Sequence, residues 1–184
     1  MIIAGIDFSL TSPAVCVHSG TEFNYSNCKF YYLTGLKKTL SASSNMTGTL
    51  YPEYDTAMQR YQNITTWVMG IITSNKVDSV YIEDYAFAAT GRVFHIAENT
   101  GILKYNLWQN SIPVTTVPPT VIKKFATGKG NANKELLQEH FITETGLDIK
   151  THLQLTLKQW NPSSDIIDSY YISKYGVFEN GKEK

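Results

Sequence analysis

With 184 residues, 42% of them hydrophobic, the chain can bury a core without disulfide or structural-metal staples. Its 16 basic and 16 acidic side chains cancel, which argues against a general nucleic-acid binder, a class that carries a basic excess, without excluding DNA. The N-terminus lacks the basic region of a signal peptide, and no run approaches the roughly 18 apolar residues of a membrane span, so the expected location is cytoplasmic.

In chain order, Ile2–Ile6 reads as a buried strand ending near Asp7. Ala14–His18 follows the polar turn Ser9–Pro13, and Lys29–Leu33 completes an antiparallel meander. The Ser-, Thr- and Gly-rich stretch Gly35–Pro52 reads as a loop. Beyond Glu53, Met58, Tyr61, Ile64, Val68, Ile71 and Ile72 recur at helical steps. A strand from Ser79 to Glu83, a helix over Arg92–Gln109 and a strand Ile112–Val117 come next, the last stopped by Pro118-Pro119. Three further helices are expected at Pro119–Phe125, Asn133–Thr145 and Ser163–Gly176, with an irregular stretch His152–Pro162 before the last. This order predicts an α/β layered fold: a mixed sheet of about five strands, the meander plus two more, with helices on both faces. One domain is expected over residues 1–178, followed by a charged tail at 179–184.

Four acids stand out. Asp7 closes an apolar strand and is readable either as a cap for the turn at Ser9 or as a ligand. Glu83 ends its strand in the same way and reads equally as an exposed strand-end acid. Asp165 and Asp168 share one helix face, where Asp165 also suits the positive end of the helix dipole. Taken together they supply oxygen ligands of the kind that hold Mg²⁺ or Mn²⁺, and two such ions suit phosphoryl displacement. Four lysines, Lys123, Lys124, Lys129 and Lys134, lie in an acid-free segment from Pro118 to Lys134 and are candidate phosphate contacts. Arg92 is a further candidate, readable also as a solvated surface arginine. Tyr85 and Phe87 are candidates for stacking on unpaired bases, with a place in the core as the alternative. The two cysteines, Cys16 and Cys28, read as buried reduced thiols. The four histidines are scattered and read as structural, and Trp67, Trp108 and Trp160 as core or interface residues.

Four stretches in order resemble the RuvC-like Holliday junction resolvases, in particular the phage-type crossover junction endodeoxyribonucleases of the ribonuclease H-like superfamily. They are Gly5-Ile-Asp-Phe-Ser-Leu-Thr-Ser-Pro, Tyr81-Ile-Glu-Asp-Tyr-Ala-Phe, the long segment from Val117 through Lys123, Lys124 and Lys129 to Lys134, and Ser164-Asp-Ile-Ile-Asp-Ser-Tyr. The resemblance implies a ribonuclease H-like fold and a structure-selective endonuclease that nicks four-way or otherwise branched DNA in recombination and repair. It implies Asp7, Glu83, Asp165 and Asp168 as ligands of two Mg²⁺ ions, with Mn²⁺ able to substitute. It also places Lys134 near the scissile phosphate and implies a homodimer in the cytosol of a bacterium or phage-infected cell. Departures from the family pattern include Asp84 where glycine is common and, within the final acidic pair, Ile166 and Ile167 where alanines are usual. Two other classes would leave different marks in the sequence. A sugar-kinase or actin-like ATPase needs a glycine-rich phosphate turn, and Phe8-Ser9-Leu10 has no glycine. A non-catalytic branched-DNA-binding protein of the same fold would be marked by a missing acid.

Overall fold

Six strands hydrogen-bond into one mixed sheet in the computed structural model, which describes residues 1–40, 45–84 and 93–182. They are β1 (Ile2–Asp7), β2 (Ala14–Ser19), β3 (Cys28–Thr34), β4 (Met46–Leu50), β5 (Ser79–Glu83) and β6 (Val114–Val117), in the order β4-β3-β2-β1-β5-β6. The meander β1–β2–β3 is antiparallel, while β5 and β6 continue from β1 in parallel. The central strand β1 is buried on both faces, which is why it reads as a continuous apolar run.

The sheet has one strand more than the sequence predicts. β4 lies inside the stretch read as a loop and pairs in parallel with β3, from Phe30↔Met46 to Thr34↔Leu50. It is an edge strand on which Met46 alone is buried, so Thr-Gly-Thr carries no hydrophobic alternation to betray it. Helix α1 (Ala57–Ser74) begins later than Glu53, where the Thr56 side chain accepts a hydrogen bond from the Gln59 amide. The other helices are α2 (Val93–Gln109), α3 (Pro119–Thr127), α4 (Lys134–Thr145), the single turn α5 (Ile149–His152) and α6 (Ser163–Lys182). Helix α6 runs through most of the segment expected to be a charged tail. Asn180 donates to the Tyr81 hydroxyl at 2.8 Å and Val177 is buried, so the sheet anchors this last turn. No helix among the described residues is long and apolar enough to cross a membrane.

The two-residue period of β1 sorts its side chains between two cores. Ala4, Ile6 and Phe8 join the core under α1 and α2, and Ile3 joins the opposite core under α6. Gly5 shares the face of Ile3 and meets α6 backbone to backbone. A Cβ there would stand 2.1 Å from the Ser173 amide nitrogen and 2.5 Å from the Ser169 carbonyl oxygen. Gly176 gives the same close approach one strand over, where a Cβ would stand 2.6 Å from the Tyr81 ring. Ser169, Ser173 and Gly176 thus form a small-residue stripe that lets α6 lie against β1 and β5.

Gly5→Ala is expected to lower stability by about 1–3 kcal/mol, the usual cost of overpacking. Urea unfolding followed by circular dichroism checks this; a midpoint within error of wild type would show that α6 is free to shift away from β1.

Candidate active site

The face that carries Gly5 and Tyr81 also carries Asp7 and Glu83, each two residues further along its strand. The parallel register pairs Gly5 with Tyr81 and Ile6 with Ile82, and one more step along it sets Asp7 beside Glu83. On α6, Asp165 lies one turn before Ser169, on the stripe pressed against β1, and Asp168 follows one turn after Asp165. The close contact at Gly5 therefore draws the first turn of α6 over the ends of β1 and β5. Asp165 is buried, while Asp7, Glu83 and Asp168 are half-buried.

These carboxyl groups act on one another. Burial and then the charges of Asp165, Asp168 and Glu83 hold the Asp7 carboxyl well above the usual carboxylate range. Asp7 and Asp165 act on each other in opposite senses: Asp165 raises the Asp7 carboxyl, and Asp7 lowers that of Asp165. Asp168 is pushed up to about 8, first by burial and then by Glu83 and Asp165, against the opposing pull of Lys134 and Lys123. Glu83 rises to about 7 through burial, with Lys123 pulling it down and Asp165 pushing it up. Asp165 is also raised by burial, and the Ser12 hydroxyl, Asp7 and Lys134 temper the shift.

The surroundings brace Asp165. Ser12 donates its hydroxyl to Asp165 Oδ2 at 2.8 Å, and Asn161 donates to Ser12 in turn. Lys134, at the first position of α4, donates to the Ser164 hydroxyl at 3.3 Å. Lys123, on α3, is half-buried and acts on Glu83 and Asp168. Lys124 and Lys129 are exposed on the same segment and are not among the main charges acting on the acids. Tyr85, Phe87 and Arg92 lie outside the described residues. The bracing roles of Ser12 and Asn161 were not readable from the sequence, because their partners lie 153 and 149 residues away.

Among the described residues, no three His, Cys, Asp or Glu side chains already stand as a closed metal-ligand set. The donor chemistry itself fits a hard divalent cation. All four groups offer oxygen, and their negative charge is offset only in part by Lys123 and Lys134.

A family model described as crossover junction endodeoxyribonuclease RuvC matches residues 38–164, well over half of the chain. That stretch contains Glu83, Lys123 and Lys134 and stops one residue short of Asp165. The chain is 28% identical over 157 residues to the crossover junction endodeoxyribonuclease RuvC of Ehrlichia ruminantium, covering 83% of this chain and 86% of that protein. It is 29% identical over 80 residues to the RuvC of Gloeobacter violaceus, where the match covers 44% of this chain and about half, 46%, of that protein. The fold matches Thermus thermophilus RuvC solved in complex with Holliday junction substrate, with a TM-score of 0.67, 16% identity and coverage of 100% of this chain and 96% of that one.

The raised acids make stability depend on pH when no cation is present. An acid whose folded value lies above its unfolded value binds more protons when folded. Its contribution is therefore intact below the unfolded value near 4 and is lost as pH rises through the folded values of about 7 and about 8. In EDTA the Tm is expected to fall between pH 5 and pH 9, and Mg²⁺ is expected to flatten the fall by binding the deprotonated acids. Asp168→Asn should raise the Tm in EDTA at pH 8; a flat profile without metal would refute the electrostatic account of this cluster.

Proposed function

The chain belongs to the RuvC family of crossover junction endodeoxyribonucleases, and on that premise we propose that it nicks Holliday junctions and other branched DNA by divalent-cation-dependent phosphodiester hydrolysis. The observation that carries this reading is the convergence of Asp7, Glu83, Asp165 and Asp168, four carboxyl groups from two paired strand ends and one helix start. Asp7, Glu83, Asp165 and Asp168 would hold the cations. Two Mg²⁺ ions, with Mn²⁺ able to substitute, supply Lewis-acid stabilisation of the attacking and leaving oxygens when bound. Lys134 and Lys123 offset phosphate charge at the same place, and Lys124 and Lys129 extend the basic surface along the DNA backbone. Ser12 orients Asp165 by the hydrogen bond at 2.8 Å. Tyr85, Phe87 and Arg92 are proposed DNA contacts on sequence grounds alone. We place the activity in one domain spanning residues 1–178, in the cytosol of a bacterium or phage-infected cell.

The same reading includes a homodimer, because paired incisions across a symmetric junction call for two centres related by a two-fold axis. One face of α2 supports it. Phe94, Glu98, Gly101, Tyr105 and Trp108 recur at alternating four- and three-residue steps, the spacing of a helix–helix seam. Phe94 is 72% exposed and Trp108 71%, while Asn99, Leu103 and Leu107 bury the opposite face. Met58 of α1 is exposed and, with Glu98, Gly101 and Tyr105, lines a shallow cavity beside the stripe. An apolar aromatic stripe of this kind marks an interface.

The test of function is incision of a synthetic four-way junction with Mg²⁺, against a linear duplex. Wild type is expected to nick the junction and spare the duplex, and Asp7→Asn to lose at least about a thousandfold in rate, the scale of removing a group that stabilises the transition state. Tight junction binding by wild type with no product above the Asp7→Asn background would leave a binding protein instead. For the dimer, Trp108→Glu is expected to shift the mass measured by sedimentation from two chains to one; a wild type that sediments as one chain at micromolar concentration would end the dimer proposal.

A further inference from the structure

A cavity of about 660 Å³ lies on the far side of the turn that follows Asp7. Ser9, Leu10 and Thr11 line it from one side, and Tyr54, Arg60 and His95 are among the residues that close it. The turn is a shared wall. From one side, Ser12 reaches Asp165 at 2.8 Å; from the other, the Leu10 carbonyl accepts from Arg60 Nη2 at 2.6 Å. Two residues of backbone separate Asp7 from Ser9, a reach of at most about 7 Å. A strand held at the carboxylates is therefore within a nucleotide or so of the cavity.

Resting on the endonuclease reading, we propose that this cavity is a nucleobase pocket that receives one unstacked base of the cleaved DNA strand. Its chemistry suits a base better than a bare phosphate. Asp55 lines it and would repel a phosphate, while Leu10 and Ile96 give it apolar walls. The Tyr54 ring is 42% exposed and offers a stacking face. Arg60 backs that ring: its guanidinium carbon lies over it, 4.8 Å from the ring centre, and Nε donates to the Tyr51 hydroxyl at 3.2 Å, so the ring is held in place for a base on its other face. Hydrogen-bonding edges are few and fixed. The Tyr61 hydroxyl engages His95 Nδ1 at 2.7 Å and also donates to Glu98 at 3.2 Å, which leaves His95 Nε2 to meet the edge of a base. An apolar pocket with a small number of oriented polar groups is how proteins read a base taken out of the stack.

The experiment measures cleavage of four-way junctions with each of the four bases, and an abasic nucleotide, at each of three positions on either side of the cleaved bond. Wild type is expected to discriminate at least tenfold at one of these positions and to lose that advantage when the base there is removed. Ala57→Trp, which fills the cavity, and His95→Ala, at an exposed side chain, should each flatten the preference to within threefold. Both should cut abasic DNA as fast as wild type does. Junction affinity, measured with each change in an Asp7→Asn background, should stay within threefold. Because His95 is exposed, His95→Ala tests the idea even if Ala57→Trp fails to fold. An abasic nucleotide without effect at every position, or a base preference unchanged in His95→Ala, overturns the pocket while leaving the endonuclease standing. A wild type that cuts no branched DNA overturns the endonuclease first and the pocket with it.

Discussion

The contact on which this molecule depends is the one between Gly5 and helix α6. A helix ordinarily stands off a sheet by the length of its side chains. Here a strand residue without a side chain faces Ser169 and Ser173, and the two backbones touch. Two acids at the start of the helix are thereby lowered onto the ends of two strands. The geometry of the acidic cluster is thus set by residues that carry no charge. A larger residue anywhere along that stripe would lift the carboxyl groups of α6 away from those of the sheet without altering any of them.

Such convergence costs stability while the acids stand alone. Four carboxyl groups share a partly desolvated space, where burial raises the proton affinity of all four and neighbouring acids raise that of Asp7, Glu83 and Asp168 further. The chain answers with two lysines on α3 and α4 and with the Ser12–Asn161 brace, which together offset only part of the charge. The remaining frustration has a function under the proposed chemistry: the net negative charge draws in cations, and the cations then make the site tolerable to a phosphodiester. It also explains how a neutral protein can favour DNA. The sum of charges conceals an acidic centre flanked by a basic segment.

Much of this was legible in the sequence, for physical reasons that can be named. Ile2–Ile6 and Val80–Ile82 are apolar runs that end in an acid, and strands of a parallel pair bring their ends to one edge. Asp165 and Asp168 sit at a helical step that fixes them on one face. What escaped was whatever depends on partners distant in the chain or on the absence of pattern. Strand β4 lies on an edge and buries a single methionine, so nothing in Met46–Leu50 alternates. The last turn of α6 looked like a charged tail because its anchor is a tyrosine on β5, 99 residues earlier. Trp108 read as either core or interface because apolarity alone does not say which face of a helix has a neighbour; it lies 71% exposed on the outer face. Cys16 and Cys28 are both free thiols buried on adjacent strands, in keeping with the reading from sequence.

The turn from Ser9 to Ser12 links these levels. It begins where β1 leaves the sheet, so its position is set by the same strand that carries Asp7. Its Ser12 hydroxyl holds Asp165, and its Leu10 carbonyl holds Arg60 and also accepts from Tyr51 at 2.8 Å. A displacement of the turn toward either side must therefore strain a hydrogen bond on the other. If a base enters from the side of Arg60, the contacts it makes bear on the same few atoms that orient Asp165. Recognition and cleavage would then be coupled through one short segment, with no need for a larger motion of the domain.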